Sequence, residues 1–187
     1  MKQDLDLFLR AFESATKSIT SKYMQLPVAG AENPIYRERV YCYELYHCLR
    51  KEMGDLDNFQ YFLCGEVDKS GHPLIRGNIL DKSKPDFLVH KPGHMDKNLV
   101  VIEVKPINTT PSAIVKDLRC LTAFRRQANY FHSIYLIYGE EQNKFARIKE
   151  RAHSLETRSG GEIDLSLISL YSHRAANCFA ERHSWGS

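Results

Sequence analysis

The segment 99–104, Leu-Val-Val-Ile-Glu-Val, constrains the fold more than any other part of the sequence. Its consecutive apolar residues are typical of a central strand that is covered on both faces. Thr110 and Pro111 follow, which is the pattern of a helix N-cap with proline at the first helical position. The apolar segment 133–138 then predicts another strand. Because a strand, a helix and a parallel strand form a right-handed crossover, the sequence predicts a β-α-β unit in this part of the chain.

Hydrophobic periodicity predicts the other elements of an α/β fold. We expect helices at 5–19, 35–53 and 143–156, and a helix from Pro111 that buries residues as far as Phe131. We expect strands at 60–64, 86–90 and 163–171. A loop is expected at 25–34, a turn at 68–71 and a loose tail at the C-terminus. This order predicts a mixed central sheet flanked by helices. We expect a single domain over 1–187, with a helical N-terminal region over about 1–54 and a core over about 36–171.

Composition and charge narrow the class of protein. The chain has 187 residues, 43% of them hydrophobic, which is enough for a substantial core and unlike a disordered chain. Asp4 and Asp6 argue against a signal peptide, and no apolar run reaches the ~20 residues of a membrane span. The five cysteines are odd in number and lack a C-x-x-C pair, which favours reduced, partly buried thiols. We therefore expect a cytoplasmic protein with no membrane partner.

Charged side chains end the central strand. Glu103 and Lys105 are two residues apart, so they point to the same face of the strand as Val101. A buried charge costs free energy unless it is paired or binds a metal ion. Asp86 begins the preceding predicted strand, and pairing of the two strands would bring it to Glu103. Two converging carboxylates suit Mg²⁺, and a lysine beside them can hold a water or a phosphate. The pattern therefore predicts metal-assisted hydrolysis of a phosphodiester.

Pro85-Asp86, followed after residues 87–102 by Glu103-Val104-Lys105, resembles the signature of the PD-(D/E)XK nuclease superfamily. The order of elements over about 36–138 resembles the core of that superfamily. The resemblance implies a restriction-endonuclease-like core and a metal-dependent nuclease that cuts DNA. It also implies that Asp86, Glu103 and the Val104 carbonyl bind Mg²⁺, with Mn²⁺ as a substitute, and that Lys105 positions the attacking water. Cutting both strands usually requires two copies of so short a chain, so we also expect a homodimer.

The same superfamily often contributes a glutamate from the preceding helix. Glu44 is the best match, because it flanks the apolar stripe of the predicted helix 35–53. A solvated charge on that helix is the alternative interpretation. Glu38 is a weaker candidate. Glu66 is a further one, for which a charge at the end of a hairpin is the favoured interpretation.

Local positive charge follows the motif on the helix that begins at Pro111. Its basic residues can contact DNA phosphates, with a solvated helix face as the alternative; they are Lys116, Arg119, Arg125 and Arg126. The net charge of +3 tolerates a polyanionic partner without identifying one.

Four tyrosines can stack on bases, although packing against the sheet is the favoured interpretation. They are Tyr36, Tyr41, Tyr43 and Tyr46. Two rival functions stay open. One is a catalytically silent nuclease-fold module for DNA binding or assembly, and the other is a metal-dependent enzyme that acts on another phosphoester.

Overall fold

The computed structural model of the protein describes residues 1–65, 80, 83–94 and 96–186. The predicted turn at 68–71 and Glu66 lie outside the described residues. The helices are α1 (Lys2–Lys17), α2 (Ser21–Met24), α3 (Glu38–Gly54), α4 (Pro111–Gln127) and α5 (Lys144–Arg158). The strands are β1 (Phe62–Gly65), β2 (Phe87–His90), β3 (Asn98–Pro106), β4 (His132–Tyr138), β5 (Ser169–His173) and β6 (Glu181–His183).

The six described strands form one mixed sheet in the order in which they occur along the chain. β1, β2 and β3 pair antiparallel, β3, β4 and β5 pair parallel, and β6 returns antiparallel to β5. The parallel pairing of β3 with β4 through α4 confirms the predicted β-α-β unit. The α/β class with a mixed central sheet is likewise confirmed.

β3 is apolar on both faces because helices cover both sides of the sheet. One face packs with α1 and α3 and receives Val100, Ile102 and Val104. The opposite face packs with α4 and α5 and receives Val101. The alternation of a strand thus divides its side chains between two apolar cores. Glu103 and Lys105 share the alternation of Val101, so they begin on the α4 side of the sheet.

The start of α4 follows the sequence prediction, whereas its end does not. The Thr110 hydroxyl caps the helix by accepting a hydrogen bond from the Ala113 amide, and Pro111 opens it. The helix ends at Gln127, and Asn129 adopts a left-handed φ of 53°. The helical period therefore does not extend to Phe131, which is 38% exposed rather than buried as predicted.

The C-terminal tail is ordered, contrary to the prediction of a loose end. It forms β6, and the Trp185 indole beyond it donates a hydrogen bond to the Ile168 carbonyl at 2.6 Å. The predicted strand 163–171 is also shorter at its start, because a 3₁₀ turn at Leu165–Leu167 precedes β5. Pairing of so short a strand and packing of one indole were not visible in local periodicity.

In the part of the chain that the structure describes, no helix is both long and apolar enough to cross a membrane. All five cysteines are free, which confirms that none is in a disulfide. Cys42, Cys48 and Cys120 are buried, as expected for thiols in apolar stripes, whereas Cys178 is exposed.

Candidate metal and phosphate site

The register of β2 against β3 brings Asp86 to Glu103. Phe87 pairs with Ile102. Because the two strands are antiparallel, Asp86, which precedes Phe87, lies beside Glu103, which follows Ile102. The Val104 amide donates a hydrogen bond to Asp86 Oδ2 at 2.7 Å, which fixes the carboxylate at the end of β3. A charge-assisted bond of this length is among the stronger hydrogen bonds in proteins.

Lys105 lies at the centre of a cluster of carboxyl groups. Its Nζ donates a hydrogen bond to Glu38 Oε1 at 2.9 Å and another to the Val104 carbonyl at 3.0 Å. The same Nζ lies 3.6 Å from Asp117, 3.8 Å from Asp86 and 4.0 Å from Glu103. One ammonium group therefore lies near four carboxyl groups, which belong to α3, α4, β3 and the residue that directly precedes β2.

This cluster is mostly buried, and it opens to solvent on the side of α3. The exposed fraction of the side chain is 4% for Asp117, 12% for Lys105 and 36% for Glu38. A cavity of about 580 Å³ leads to the cluster. Besides Lys105 and the four acidic residues, its wall carries three basic residues, Arg39, Lys84 and Lys116. The cavity thus combines an acidic floor with a basic rim.

Burial raises the pKa of three acidic groups in the cluster, Glu38, Glu103 and Asp117. The pKa of Glu103 is well above its ordinary value, first because of desolvation and then because of the charges of Asp86 and Asp117. Burial also raises the pKa of Asp117, to about 7, although the Lys105 ammonium opposes the shift. For Lys105 itself, burial lowers the pKa, but the surrounding carboxylates together outweigh it and raise the pKa. The lysine therefore stays charged at neutral pH while some carboxyl groups hold protons.

The structure confirms the predicted convergence of Asp86, Glu103 and Lys105. It corrects the predicted glutamate, because Glu38 reaches the cluster whereas Glu44 is not among the described residues that line the cavity. Glu44 lies roughly 9 Å further along α3 and on another face of the helix. Its Oε1 is 4.0 Å from the Cys48 sulfur.

Asp117 is the site residue that the sequence prediction missed. It lies on α4, three residues after Ile114 and four before Leu121, so it occupies the apolar face of the helix. Its Oδ2 is buried and accepts no hydrogen bond from the described residues. A carboxylate within an apolar helical stripe was the sequence signal that could have identified it, since such a charge is rarely left unpaired.

The four predicted phosphate-binding residues separate into two groups. Lys116 is exposed and lines the cavity. The three arginines bond to acceptors within the chain: Arg119 to Glu162 at 2.7 Å, Arg126 to Asp164 at 2.7 Å, and Arg125 to the Tyr130 carbonyl. Each arginine therefore has a partner within the chain, and Lys116 is the only one of the four that lines the cavity.

Carboxylate oxygens are ligands that Mg²⁺ prefers, but the carboxyl groups of this cluster are arranged around a lysine. Among the described residues, no group of three or more His, Cys, Asp or Glu side chains is arranged so that it could hold a metal ion. The Lys105 ammonium instead lies within 4.0 Å of all four carboxyl groups. Asp117 Oδ2 is buried and accepts no hydrogen bond from the described residues, although it lies 3.6 Å from the Lys105 ammonium.

Comparison of the chain with protein-family models, with curated proteins and with solved structures finds no match. The resemblance of Pro85-Asp86 and Glu103-Val104-Lys105 to the PD-(D/E)XK signature therefore stays a prediction.

Proposed function

We propose that this protein is a metal-dependent nuclease that hydrolyses DNA phosphodiester bonds on a restriction-endonuclease-like core. The observation that supports this most is the Lys105 ammonium held within 4.0 Å of four carboxyl groups on the floor of an open cavity. The cluster has four acidic groups for one lysine, and the raised pKa values of Glu103 and Asp117 let a divalent cation compete with protons for the same oxygens. The basic rim favours a phosphate.

Asp86, Glu103 and the Val104 carbonyl are the groups that would hold Mg²⁺ or Mn²⁺. A bound divalent cation would supply a water of lowered pKa and would offset the negative charge that develops on the phosphate. The chain supports this assignment by fixing Asp86 through the Val104 amide at 2.7 Å. A carboxylate oriented in this way loses little freedom when it binds a ligand.

Lys105 and Glu38 are the groups that would act on the attacking water and the phosphate. The Lys105 ammonium stays protonated, so it can donate a hydrogen bond to a phosphate oxygen as charge builds up there. Glu38 is the most exposed of the four acids, and burial raises its pKa towards that of a useful general base. Lys116 at the rim would contact a neighbouring phosphate.

The test is a cleavage panel of single-stranded, duplex and branched DNA and of RNA, each with Mg²⁺ or Mn²⁺. Wild type is expected to cut DNA, and Asp86→Asn or Glu103→Gln is expected to abolish cutting because each removes a direct ligand. Glu150→Gln, an exposed change on α5, serves as the matched control and should retain full activity. Melting temperatures show whether each variant is folded. Equal cleavage by wild type and Asp86→Asn would mean that the activity belongs to a contaminant.

A catalytically silent module for DNA binding or assembly is the second candidate, favoured by the same central lysine. If Lys105 permanently neutralises the cluster, the four carboxyl groups form a structural ion network and bind no metal. The two candidates differ in a measurement without catalysis, namely the shift of melting temperature with Ca²⁺ or Mg²⁺. A shift that Asp86→Asn removes favours the enzyme, whereas no shift and no cleavage favour the module.

A further inference from the structure

A second cavity adjoins the carboxylate cluster and shares one residue with it. This cavity, of about 340 Å³, is lined by Cys42, Tyr43, Tyr46, Gly65, Asp86 and Phe87. Asp86 lines both cavities, so a ligand in the second lies next to whatever Asp86 binds in the first. The volume is at the lower end of the ~300–1,000 Å³ of small-ligand pockets.

Three of the six residues that line this second cavity are aromatic. The rings of Tyr46 and Phe87 stack, with their centroids 6.2 Å apart and an angle of 25° between their planes. The Tyr46 hydroxyl donates a hydrogen bond to the Leu63 carbonyl at 3.4 Å, which orients its ring. Tyr43 is 64% exposed, whereas Tyr41 on the same helix is fully buried. Tyr43 therefore contributes little to the core and is available to a ligand.

Gly65 keeps the cavity open. A Cβ atom at this position would lie 3.6 Å from the Asp86 carbonyl and 3.9 Å from the rings of both Phe87 and Tyr46. The backbone of Gly65 is not in the left-handed region, so its conformation does not require glycine. A larger side chain would therefore fit the backbone and enter the space between the rings.

Helix α3 runs past both cavities in consecutive turns. Arg39 lines the first cavity and Tyr43 lines the second. The two residues are four apart on one helical face, which separates them by roughly 6 Å along the axis. That spacing is comparable with the distance between a phosphate and the base of the same nucleotide.

We propose that the aromatic cavity receives an unpaired nucleobase beside the phosphate in the carboxylate site, so that the substrate is single-stranded or locally unpaired DNA. This inference rests on the proposed nuclease function. Bases in a duplex are stacked on their neighbours, so only an unpaired base offers both faces to protein rings. Because stacking on aromatic side chains tolerates every base, little sequence preference is expected.

The test measures binding without cleavage, with Ca²⁺ in place of Mg²⁺ and the full chain. The probes are a single-stranded oligonucleotide that carries 2-aminopurine and the matching duplex. Tyr43→Ala should weaken single-strand binding about tenfold and reduce the quenching of 2-aminopurine, whereas Tyr43→Phe should keep both. Gly65→Val should weaken binding similarly by filling the cavity. Phe179→Ala, which changes another exposed aromatic (52% exposed, against 64% for Tyr43) outside the cavity, should change nothing.

The outcomes separate this inference from the proposed function. The inference is overturned if the wild type does not bind the single strand. It is also overturned if Tyr43→Ala loses duplex binding and single-strand binding equally. Cleavage in Mg²⁺ with unchanged single-strand affinity in both Tyr43→Ala and Gly65→Val also overturns it, while the nuclease stands. Tyr43-dependent single-strand binding by a wild type that never cuts supports the base site and rejects the nuclease. Melting temperatures establish that each variant is folded.

Discussion

Replacement of Lys105 by methionine removes the ammonium from the acidic cluster while preserving much of the side-chain volume. The lysine side chain is 12% exposed and lies within 4.0 Å of four carboxyl groups, so its loss leaves their charges uncompensated. Removal of one partner from a buried ion pair costs about 3–5 kcal/mol. For a chain of this length, that corresponds to a fall in melting temperature of roughly 6–20 °C. Measurement at pH 8 limits rescue by proton uptake, since the pKa of Asp117 is already raised to about 7.

The same variant should bind a divalent cation more tightly than wild type. Without the ammonium, Ca²⁺ meets no competing positive charge, so its apparent affinity should rise at least about tenfold, or 1.4 kcal/mol. Urea unfolding in EDTA and in a Ca²⁺ series gives both quantities, because a ligand that binds only the folded state stabilises it by RT ln(1 + [L]/Kd). Lys144→Met, which removes an exposed ion pair with Glu141, is the matched control and should cost at most about 1 kcal/mol.

Two results would refute this reasoning. If Lys105→Met is as stable as wild type in EDTA, the four carboxyl groups do not depend on the lysine for their charge balance. If its affinity for Ca²⁺ is unchanged or lower, the lysine and the cation do not compete for the same oxygens. Loss of cleavage in Lys105→Met with tighter cation binding would instead place the lysine in the chemical step.

Three further predictions concern the rest of the site. Glu38→Gln should lower the cleavage rate at least tenfold while Glu44→Gln on the same helix leaves it unchanged, and the reverse order would restore Glu44 to the site. In metal-free buffer, the stability of the wild type relative to Asp117→Asn should fall in urea melts as the pH rises from about 4 to 7, because folded Asp117, with its pKa raised from 3.8 to about 7, binds protons that the unfolded chain releases. Lys116→Ala should reduce the salt dependence of DNA binding by about one counterion, whereas Arg126→Ala, whose guanidinium bonds to Asp164, should not.

The position of the acidic cluster at the end of β3 explains how the fold tolerates it. The strand is fully buried from Asn98 to Ile102, with apolar cores on both faces. The charged residues follow only where the sheet reaches an open cavity. Most of the apolar burial therefore lies away from the site, and the electrostatic cost of the crowded carboxyl groups is offset elsewhere in the chain.

Local sequence patterns determined the parts of this protein that depend on neighbouring residues. The apolar run of β3, the Thr110 cap of α4 and the alternation that places Glu103 beside Lys105 all act over a few residues. The contact between Asp86 and Glu103 depends in addition on the pairing of two strands that are adjacent in the sequence. Strands joined by a short connection usually pair, so Asp86, Glu103 and Lys105 could be predicted to lie together.

Tertiary packing alone decided which glutamate reaches the site. Tyr41 stacks on Tyr138 with ring centroids 3.9 Å apart, and its hydroxyl is hydrogen-bonded to His173 Nδ1 at 2.7 Å. These contacts hold the first turn of α3 over the end of the sheet where β3 and β4 finish, so Glu38 projects into the cluster. The helix then runs towards β1, which takes Glu44 away. A sequence pattern defines the apolar stripe of a helix but not where along the sheet each turn will lie.

The same reason accounts for Asp117 and Tyr43. Periodicity placed both on helices, yet the role of each depends on what lies opposite it. α4 packs across the parallel strands and turns Asp117 towards Lys105, which lies 3.6 Å away. α3 leaves Tyr43 on the open side, beside Phe87 and Gly65. The sequence by itself determined the elements and the central acidic pair, whereas the relative placement of helices and sheet, set by contacts between distant residues, decided the rest of the site.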